Sequence, residues 1–362
     1  MGDSQTYRNR IAPGFNALQI PARSHRAARV YIEREMARKY LLSIDGGGIR
    51  GILPACALAK LEADTGRLTR EIFHFAAGTS TGALLSAAVA AGIPAAQLVD
   101  IYVRRGREIF SPRAPWNTVK RVLTGAMYSA ATLHRVLSEE FGAASQWRLN
   151  DSPVDLLLTA KGLDGTPWYF VKDKPVNSGV TGRLGLIDCA TASASAPTYF
   201  DPWKFPSDAG VGTVVDGGVG VTGNPVYQAC VEAFYYTGEY TPRETTAVSL
   251  GTGRFPNSGG EPGTLWGWVD WVLDELLSSP GEQQTEIVRR HFPDLLFYRL
   301  NPDILKLDPG FKNSIDMDDV EAIPKLIEYG NAFAAGIDWK AVLEGDDEEF
   351  QVAAASEDPK AA

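Results

Sequence analysis

The chain of 362 residues is 44% hydrophobic and 22% charged, so it can bury the core of one large domain or two ordinary ones, and general disorder is excluded. Its formal net charge of −9 argues against a nucleic-acid-binding protein that relies on bulk positive charge. The three cysteines are widely spaced and form no Cys-x-x-Cys pair, which argues against a disulfide scaffold or a thiolate zinc site and favours a reducing compartment.

Residues 1–39 are predicted to form a basic N-terminal extension, irregular at first and helix-like from Arg23 to Lys39. The first residues contain no apolar stretch of signal-peptide length, and the longest nearly apolar run, Ala83–Ile93, is too short to cross a bilayer. We therefore expect a cytoplasmic protein whose contact with membranes is peripheral.

From residue 40 onward, short apolar runs alternate with glycine turns and helical stretches. The runs typical of strands are Leu41–Ile44, Phe73–Ala77, Val154–Ala160, Thr213–Val215, Thr246–Leu250 and Leu295–Leu300. The helical stretches are Ile52–Ala63, Ala83–Ala91, Leu98–Phe110, Leu133–Phe141, Pro225–Tyr236, Trp268–Leu277 and Gln283–Phe292. This alternation predicts an α/β fold with a mostly parallel sheet covered on both faces, and Leu163–Thr166 predicts one added hairpin.

The simplest division of the chain is one domain over residues 40–343. Residues 344–362 are polar and acidic, and we expect them to form a disordered tail.

The first of three glycine-rich turns is Asp-Gly-Gly-Gly-Ile-Arg-Gly at 45–51, between a predicted strand and a predicted helix. Gly46, Gly48 and Gly51 also satisfy Gly-x-Gly-x-x-Gly. Backbone N–H groups at such a turn can hold a pyrophosphate or the oxyanion of an acyl-transfer intermediate. A tight turn without a ligand is the simpler alternative, and this motif alone does not decide among the three.

The second turn, Gly-Thr-Ser-Thr-Gly at 78–82, follows a predicted strand and precedes a helix of small residues. This is the setting of a nucleophile elbow, in which flanking glycines permit a strained turn that presents the Ser80 hydroxyl above the sheet edge. A dinucleotide-binding protein would place an acidic residue near the end of this strand, and none is present. The second turn therefore favours acyl transfer.

The third turn is Asp216-Gly217-Gly218, directly after the strand Thr213–Val215. If this strand runs parallel to the one before Ser80, Asp216 and Ser80 share one sheet edge, where α/β proteins gather their sites. A glycine turn with a solvated aspartate is the alternative.

A serine nucleophile needs a base, which is usually a histidine. The chain contains four histidines: His25, His74, His134 and His291. Only His291 has the chain order of a Ser-Asp-His triad, but no glycine turn or strand end places it at the site. A direct Ser80–Asp216 dyad is the more economical interpretation, with the carboxylate as base.

These motifs together resemble the patatin-like phospholipase family. The resemblance covers about residues 40–255 and includes the motifs at 45–51, 78–82 and 216–218 and the further segments 192–200, 223–225 and 249–253. It implies a three-layer α/β/α sandwich that hydrolyses acyl esters of lipids without a metal or another cofactor.

The same resemblance implies roles for individual residues. Ser80 would be the nucleophile, Asp216 its base, and Gly46, Gly47 and Gly48 the backbone donors of the oxyanion hole.

Five further residues would support this site. Arg50 would stiffen the glycine loop or offset charge, or would serve only as a surface cap. Gly78, Gly82, Gly217 and Gly218 would permit the two turns that carry the dyad.

The segment 102–128 is rich in arginine and lysine, with aromatic residues interleaved. We hypothesise that it covers the pocket and contacts an anionic lipid surface. The alternative is a solvated helix face followed by a loop packed by its aromatic side chains.

The leading hypothesis is a lipid acyl hydrolase of phospholipase A or lysophospholipase type, with a phospholipid or lysophospholipid as substrate and no nucleic-acid partner. One alternative is an esterase or thioesterase with a Ser-His-Asp triad that uses His291. The other is a non-catalytic module that binds a nucleotide or another anion through the 45–51 loop.

Overall fold

The computed structural model describes residues 38–111, 126–174, 181–255, 280–311 and 315–345, together with residues 263 and 268. The acidic tail from residue 346, the N-terminal extension up to residue 37 and nearly all of the helix predicted over Trp268–Leu277 lie outside these ranges. The proposed domain boundaries therefore stay predictions.

The described residues form one eight-stranded sheet. Its strands are β1 (Lys39–Ile44), β2 (Phe75–Gly78), β3 (Asp155–Gly162), β4 (Pro167–Val171), β5 (Trp203–Lys204), β6 (Thr213–Asp216), β7 (Thr245–Leu250) and β8 (Leu296–Leu300). Hydrogen-bonded pairing links the strands in the succession β5-β6-β3-β2-β1-β7-β8, and β4 also pairs with β3. Neighbours among β1, β2, β3, β7 and β8 are parallel, whereas β4 and β6 run antiparallel to β3.

The helices connect these strands and follow them in the chain. They are α1 (Ile52–Thr65), α2 (Thr69–Ile72), α3 (Thr81–Ala91), α4 (Ala95–Ile109), α5 (Ala130–Phe141), α6 (Leu186–Ser193), α7 (Val226–Val231), α8 (Pro280–His291), α9 (Ile304–Leu307), α10 (Ile323–Ala335) and α11 (Trp339–Glu344). None of the helices in the described ranges is long and apolar enough to span a membrane.

Consecutive residues of the central strands point to opposite faces of the sheet, and each face is buried by its own helices. Leu42 and Leu158 belong to the core that contains residues of α1, α3 and α6. Leu41 and Leu157 belong to a second core, which contains residues of α7 and α8. The near-continuous apolar strands thus have helices on both sides, and the predicted three-layer α/β/α architecture is confirmed.

The predicted hairpin is also confirmed. Strands β3 and β4 are antiparallel, and Gly165 at their turn has a φ of +90°, which glycine adopts without strain. The helix predicted over Pro225–Tyr236 is divided into α7 and a π-helical turn at Glu232–Thr237. The short or late helices α2, α6, α9, α10 and α11 were not predicted.

The strand before Asp216 does not run parallel to the one before Ser80, so the condition stated above for a shared sheet edge is not met. Ala160 of β3 pairs with β4 and with Asp216 of β6, so these two strands lie on opposite sides of β3. Leu158 pairs with β4 and with Gly78 of β2, which places β2 on the same side as β6. Strands β2 and β6 therefore run toward each other along one side of β3, and their carboxyl ends meet.

Helix α11 closes the core on the side of α1. The Trp339 side chain is fully buried, and its Nε1–H donates a hydrogen bond of 3.1 Å to the carbonyl oxygen of Ala57 in α1. Helix α10 packs along the same helix. The carboxyl-terminal helices therefore belong to the folding unit that carries the sheet.

We expect Trp339→Ala to lower the free energy of unfolding by about 3–5 kcal/mol, because it leaves a large cavity and an unpaired carbonyl group. Trp339→Phe keeps an aromatic ring and should cost only about 1–2 kcal/mol. Urea denaturation measures both values, and equal losses in the two variants would contradict the packing role of the larger ring.

Candidate active site

Ser80 lies at the tight turn between β2 and α3. Its backbone has φ = +55° and ψ = −125°, a conformation that non-glycine residues rarely adopt, and its side chain is buried. The Ser80 N–H donates a hydrogen bond of 3.0 Å to Ser193 Oγ at the end of α6. Strain of this kind persists only where the surroundings enforce it, and it is frequent at active sites.

The two glycines that flank Ser80 allow three backbone segments to touch. A Cβ atom on Gly78 would overlap the carbonyl of Gly82, and a Cβ atom on Gly82 would overlap the carbonyl oxygen of Ile44 at the end of β1. Neither neighbour is a side chain that could move aside. The turn therefore requires glycine at both positions for steric reasons.

Asp216 is the last residue of β6 and is almost completely buried. Its Oδ1 accepts a hydrogen bond of 2.7 Å from the N–H of Gly218, whereas its Oδ2 has no hydrogen bond of standard geometry within the described ranges. Burial raises the pKa of Asp216 to about 7, although the nearby Ser80 hydroxyl and the Gly218 N–H both lower it. Hydrogen bonds between catalytic groups are often long or misaligned until a substrate binds.

The turn after Asp216 packs closely on β3. A Cβ atom on Gly217 would overlap the Thr159 hydroxyl, and Thr159 Oγ1 is 2.7 Å from Thr79 Oγ1 beside Ser80. The carbonyl of Gly217 accepts a hydrogen bond from the Thr222 hydroxyl. The two turns that carry Ser80 and Asp216 are thus joined through hydroxyl groups.

The glycine loop after β1 offers two free backbone donors. The Gly46 N–H is already bonded to the carbonyl oxygen of Gly223 at 2.9 Å, so Gly46 cannot supply a donor as the sequence had suggested. The N–H groups of Gly47 and Gly48 make no hydrogen bond within the described part of the chain. Gly48 has φ = +58°, and it lines the same cavity as Ser80.

Arg50 is buried behind this loop. Its Nε–H donates a hydrogen bond of 3.3 Å to the carbonyl oxygen of Gly47, and its guanidinium lies over the Phe255 ring at 5.4 Å from the ring centre. These contacts are those that a stiffening residue would make, and they are not those of an exposed surface cap.

A cavity of about 570 Å³, including its opening to solvent, adjoins Ser80. Apart from Gly48, Ser80 and Thr81, its walls are formed by Leu84, Tyr102, Gly106, Ile109, Phe110, Leu133, Ala194, Ala196, Tyr199, Phe200 and Met317. The hydroxyls of Tyr102 and Thr81 are hydrogen-bonded to each other. The cavity is therefore largely apolar and suits a hydrocarbon chain better than a polar group.

The described histidines lie away from this cavity. His291 Nδ1 is 3.2 Å from the Tyr227 hydroxyl, and its ring stacks on Phe292, whose side chain belongs to the core on the other face of the sheet. His74 stacks on Tyr40, and His134 stacks on Trp203. Within the described ranges, no histidine makes a hydrogen bond to Ser80 or Asp216.

The basic segment 102–128 is only partly described, because residues 112–125 lie outside the described ranges. Arg104 pairs with Glu140 at 3.2 Å, and Arg105 pairs with Glu139 and Glu140 at 2.5 and 3.0 Å. These two arginines are thus neutralised by α5 and do not present free positive charge. Phe110 from the same segment lines the cavity, as a segment that covers the pocket would require.

Several contacting residues were not recognised in the sequence as parts of the site. Two of them, Ser193 and Thr252, lie in segments that contributed to the family resemblance and so carried a signal. The Thr252 hydroxyl donates a hydrogen bond of 2.6 Å to the Gly46 carbonyl. Met317, whose carbonyl accepts a hydrogen bond of 2.7 Å from the N–H of Ile49, is distant in the chain and carried none.

The chain is similar in sequence to known proteins. The model of the family described as patatin-like phospholipase matches residues 42–229, a range that includes Ser80 and Asp216. Patatin-like protein 3 of Arabidopsis thaliana is 26% identical over 81% of this chain and 79% of its own length. The cGAMP-activated phospholipase of Escherichia coli strain TW11681 is 31% identical over 54% of this chain and 56% of its own.

Among solved structures, the human GIVD cytosolic phospholipase A2 aligns with a TM-score of 0.41 and 11% sequence identity. That alignment covers 86% of this chain and 60% of the human one.

Gly82→Ala should displace α3 from the end of β1, because the added Cβ atom would meet the Ile44 carbonyl. We expect a loss of unfolding free energy on the order of 2 kcal/mol. Gly336→Ala is the matched control, since Gly336 ends α10 with φ = −81° and has no closer neighbour than 3.4 Å. The control should leave stability unchanged or raise it by less than about 1 kcal/mol. Thermal denaturation compares them, and equal stabilities would contradict the steric argument.

Proposed function

This chain belongs to the patatin-like phospholipase family, and we propose that it is a lipid acyl hydrolase with Ser80 and Asp216 as its catalytic dyad. Its substrates would be carboxylic esters of phospholipids or lysophospholipids. The observation that carries the proposal is a serine on a strained turn that opens into an apolar cavity, beside a buried carboxyl group. A peripheral contact with membranes and a cytoplasmic location fit this activity and are part of the proposal.

In the first step, the Asp216 carboxylate accepts the proton of the Ser80 hydroxyl while Ser80 Oγ attacks the ester carbonyl carbon. The carbonyl π electrons move to the oxygen, which becomes an oxyanion. The N–H groups of Gly47 and Gly48 would donate to this oxygen, and two such donors are the usual means of stabilising a tetrahedral intermediate.

The intermediate then collapses, the bond to the leaving alcohol breaks, and Asp216 returns the proton to the alcohol oxygen. Ser80 is left as an acyl ester. A water molecule completes the cycle by the same route, since Asp216 accepts its proton and later returns that proton to Ser80 Oγ. The water oxygen bonds to the acyl carbon, the bond from that carbon to Ser80 Oγ breaks and the fatty acid leaves, so a proton from water replaces the one that left with the alcohol.

The cavity supports a fatty acyl group as the part of the substrate that binds. Side chains such as Leu84, Leu133 and Phe200 surround it, and the Tyr102 and Thr81 hydroxyls bond to each other instead of facing the cavity unpaired. Burial of a hydrocarbon chain gains about 0.8 kcal/mol for each methylene group. The apolar walls would therefore bind an acyl chain through hydrophobic contacts, with few polar contacts.

We expect Ser80→Ala and Asp216→Asn each to lower kcat/KM by about 10³-fold or more, because each removes one half of the dyad. Product release from lysophospholipid and diacylphospholipid vesicles, followed by mass spectrometry, measures this loss. His291→Ala should change kcat/KM by less than about twofold. A large loss in that variant would support the triad instead, and failure of a fluorophosphonate probe to label Ser80 would support a non-catalytic binding module.

The activity should depend on the charge of Asp216, whose pKa burial raises to about 7. Only the carboxylate can accept the Ser80 proton, so kcat/KM for a soluble ester should fall about tenfold for each pH unit below about pH 7 and level off above it. A pH profile of fluorophosphonate labelling tests this without a lipid interface. An acid limb in the ordinary range of aspartate, near pH 4, would contradict the assignment.

The same shift has a consequence for stability. Because the pKa of Asp216 is higher in the folded state than in the unfolded chain, the free energy of unfolding should decrease as pH rises from about 4 to about 7. Asp216→Asn should remove this component, which urea denaturation at several pH values can detect.

A further inference from the structure

A buried ion pair anchors the glycine loop at its first residue. Arg299 of β8 donates through Nη1 to Asp45 Oδ1 at 3.0 Å and through Nη2 to Asp45 Oδ2 at 2.6 Å. The same Nη1 donates to Ser249 Oγ of β7 at 2.9 Å. The side chains of Arg299 and Asp45 are only 7% and 10% exposed. Asp45, which follows β1, thus accepts two hydrogen bonds from β8, and β7 lies between these two strands.

Asp45 lies two residues before Gly47, the first of the two glycines that would bind the oxyanion. Its own N–H donates to the Leu250 carbonyl at 3.0 Å, and the next N–H, that of Gly46, donates to the Gly223 carbonyl at 2.9 Å. Gly47 and Gly48 have no side chains with which to hold their own conformation. Their orientation therefore depends on other residues of the loop, and on its amino-terminal side Asp45 is held by a buried ion pair.

The pair is poorly explained by stability alone. A buried ion pair loses much of its Coulomb attraction to desolvation and is often no more stable than an apolar pair of the same size. The Nε of Arg299 is buried without a hydrogen bond in the described part of the chain, which adds to this cost. What a planar two-pronged contact provides better than an apolar pair is a fixed direction.

We infer that Arg299 is a positioning residue for ester hydrolysis, because it fixes the Asp45 carboxylate and thereby aims the Gly47 and Gly48 N–H groups at the oxyanion. The inference rests on the proposed function. The role proposed for Arg299 is distinct from that of Arg50, because the Arg50 Nε–H donates a hydrogen bond to the Gly47 carbonyl from the other end of the loop. Arg299 itself would touch neither the substrate nor the reacting atoms.

The inference makes a specific kinetic prediction. Arg299→Lys keeps the positive charge but loses the two-pronged geometry, so the loop should be misaligned while the acyl cavity stays intact. We expect kcat for a p-nitrophenyl ester to fall about 10- to 100-fold with KM within about twofold, since small misplacements of catalytic groups have effects of this size. Arg299→Met should lower kcat further.

A second readout separates positioning from general damage. A trifluoromethyl ketone with a fatty acyl chain forms a hemiketal oxyanion on the serine, whereas the free fatty acid fills only the cavity. In Arg299→Lys, affinity for the ketone should fall by the same factor as kcat, and affinity for the fatty acid should be unchanged. Equal weakening of both ligands, or an unchanged kcat, would overturn the inference.

Lys174→Met is the matched control. It breaks another largely buried ion pair, in which Lys174 Nζ lies 2.9 Å from Asp155 Oδ1 at the opposite end of the sheet. The control should lower the unfolding temperature and leave kcat and ketone affinity unchanged. If Lys174→Met loses kcat and ketone affinity as Arg299→Lys does, the effect is one of stability and the inference fails.

If Arg299→Met does not fold, Ser249→Ala serves as the milder second variant, because it removes one bond that orients the guanidinium. It should lower kcat by about two- to tenfold, and an unchanged kcat in both Ser249→Ala and Arg299→Lys would overturn the inference. Ser80→Ala, assayed in parallel, distinguishes a failure of the proposed function from a failure of the positioning role of Arg299. Retained activity in Ser80→Ala would refute the proposed function, whereas a dead Ser80→Ala beside a fully active Arg299→Lys would refute only the positioning role.

Discussion

Two short strands that approach each other along one side of β3 hold the candidate site together. Strand β2 occupies this side up to the level of Leu158, and β6 occupies it from Gly162 back to Ala160. The first residues beyond this meeting point are the turns that carry Ser80 and Asp216. Both groups are thus positioned by strand pairing with a common neighbour, which gives a more rigid frame than two loops would. The closely packed Gly78, Gly82 and Gly217 follow from the same crowding.

The site contains two buried aspartates whose carboxyl groups have different partners. Burial raises the pKa of both carboxyl groups, and at Asp45 the Arg299 guanidinium opposes this rise without cancelling it. Asp216 has only the Ser80 hydroxyl and one backbone N–H as partners in the described ranges. Asp216, whose pKa is about 7, can exchange a proton near neutral pH, as the proposed base must, whereas Asp45 is held in place by two charge-assisted hydrogen bonds from Arg299. Environment, and not residue type, separates the two roles.

Local sequence patterns were sufficient to predict most of the central sheet and to single out Ser80 and Asp216 as candidates for a dyad. Ser80 and Asp216 stand in short motifs whose glycines are required for steric reasons, and β1 and β7 contain the short apolar runs Leu41–Leu42 and Ala247–Val248. The direction of β6 could not be predicted, because a four-residue strand carries no mark of its orientation. The bond from Gly46 to Gly223 and the pairing of Arg105 with Glu139 and Glu140 join distant segments, so no local pattern indicates them.

Met317 belongs to two parts of the site at once. It lines the apolar cavity, its carbonyl oxygen accepts a hydrogen bond from the Ile49 N–H, and a Cβ atom on Gly48 would overlap that carbonyl oxygen. An acyl chain that pushed Met317 aside would therefore also shift the Gly48 backbone, which is proposed to face the oxyanion. In such an arrangement, the fit of the hydrocarbon tail influences the rate of bond cleavage as well as the affinity. Lipids of different chain length would then be distinguished by their turnover rate as well as by their affinity. The acyl chain that binds most tightly need not be the one that is cleaved most rapidly.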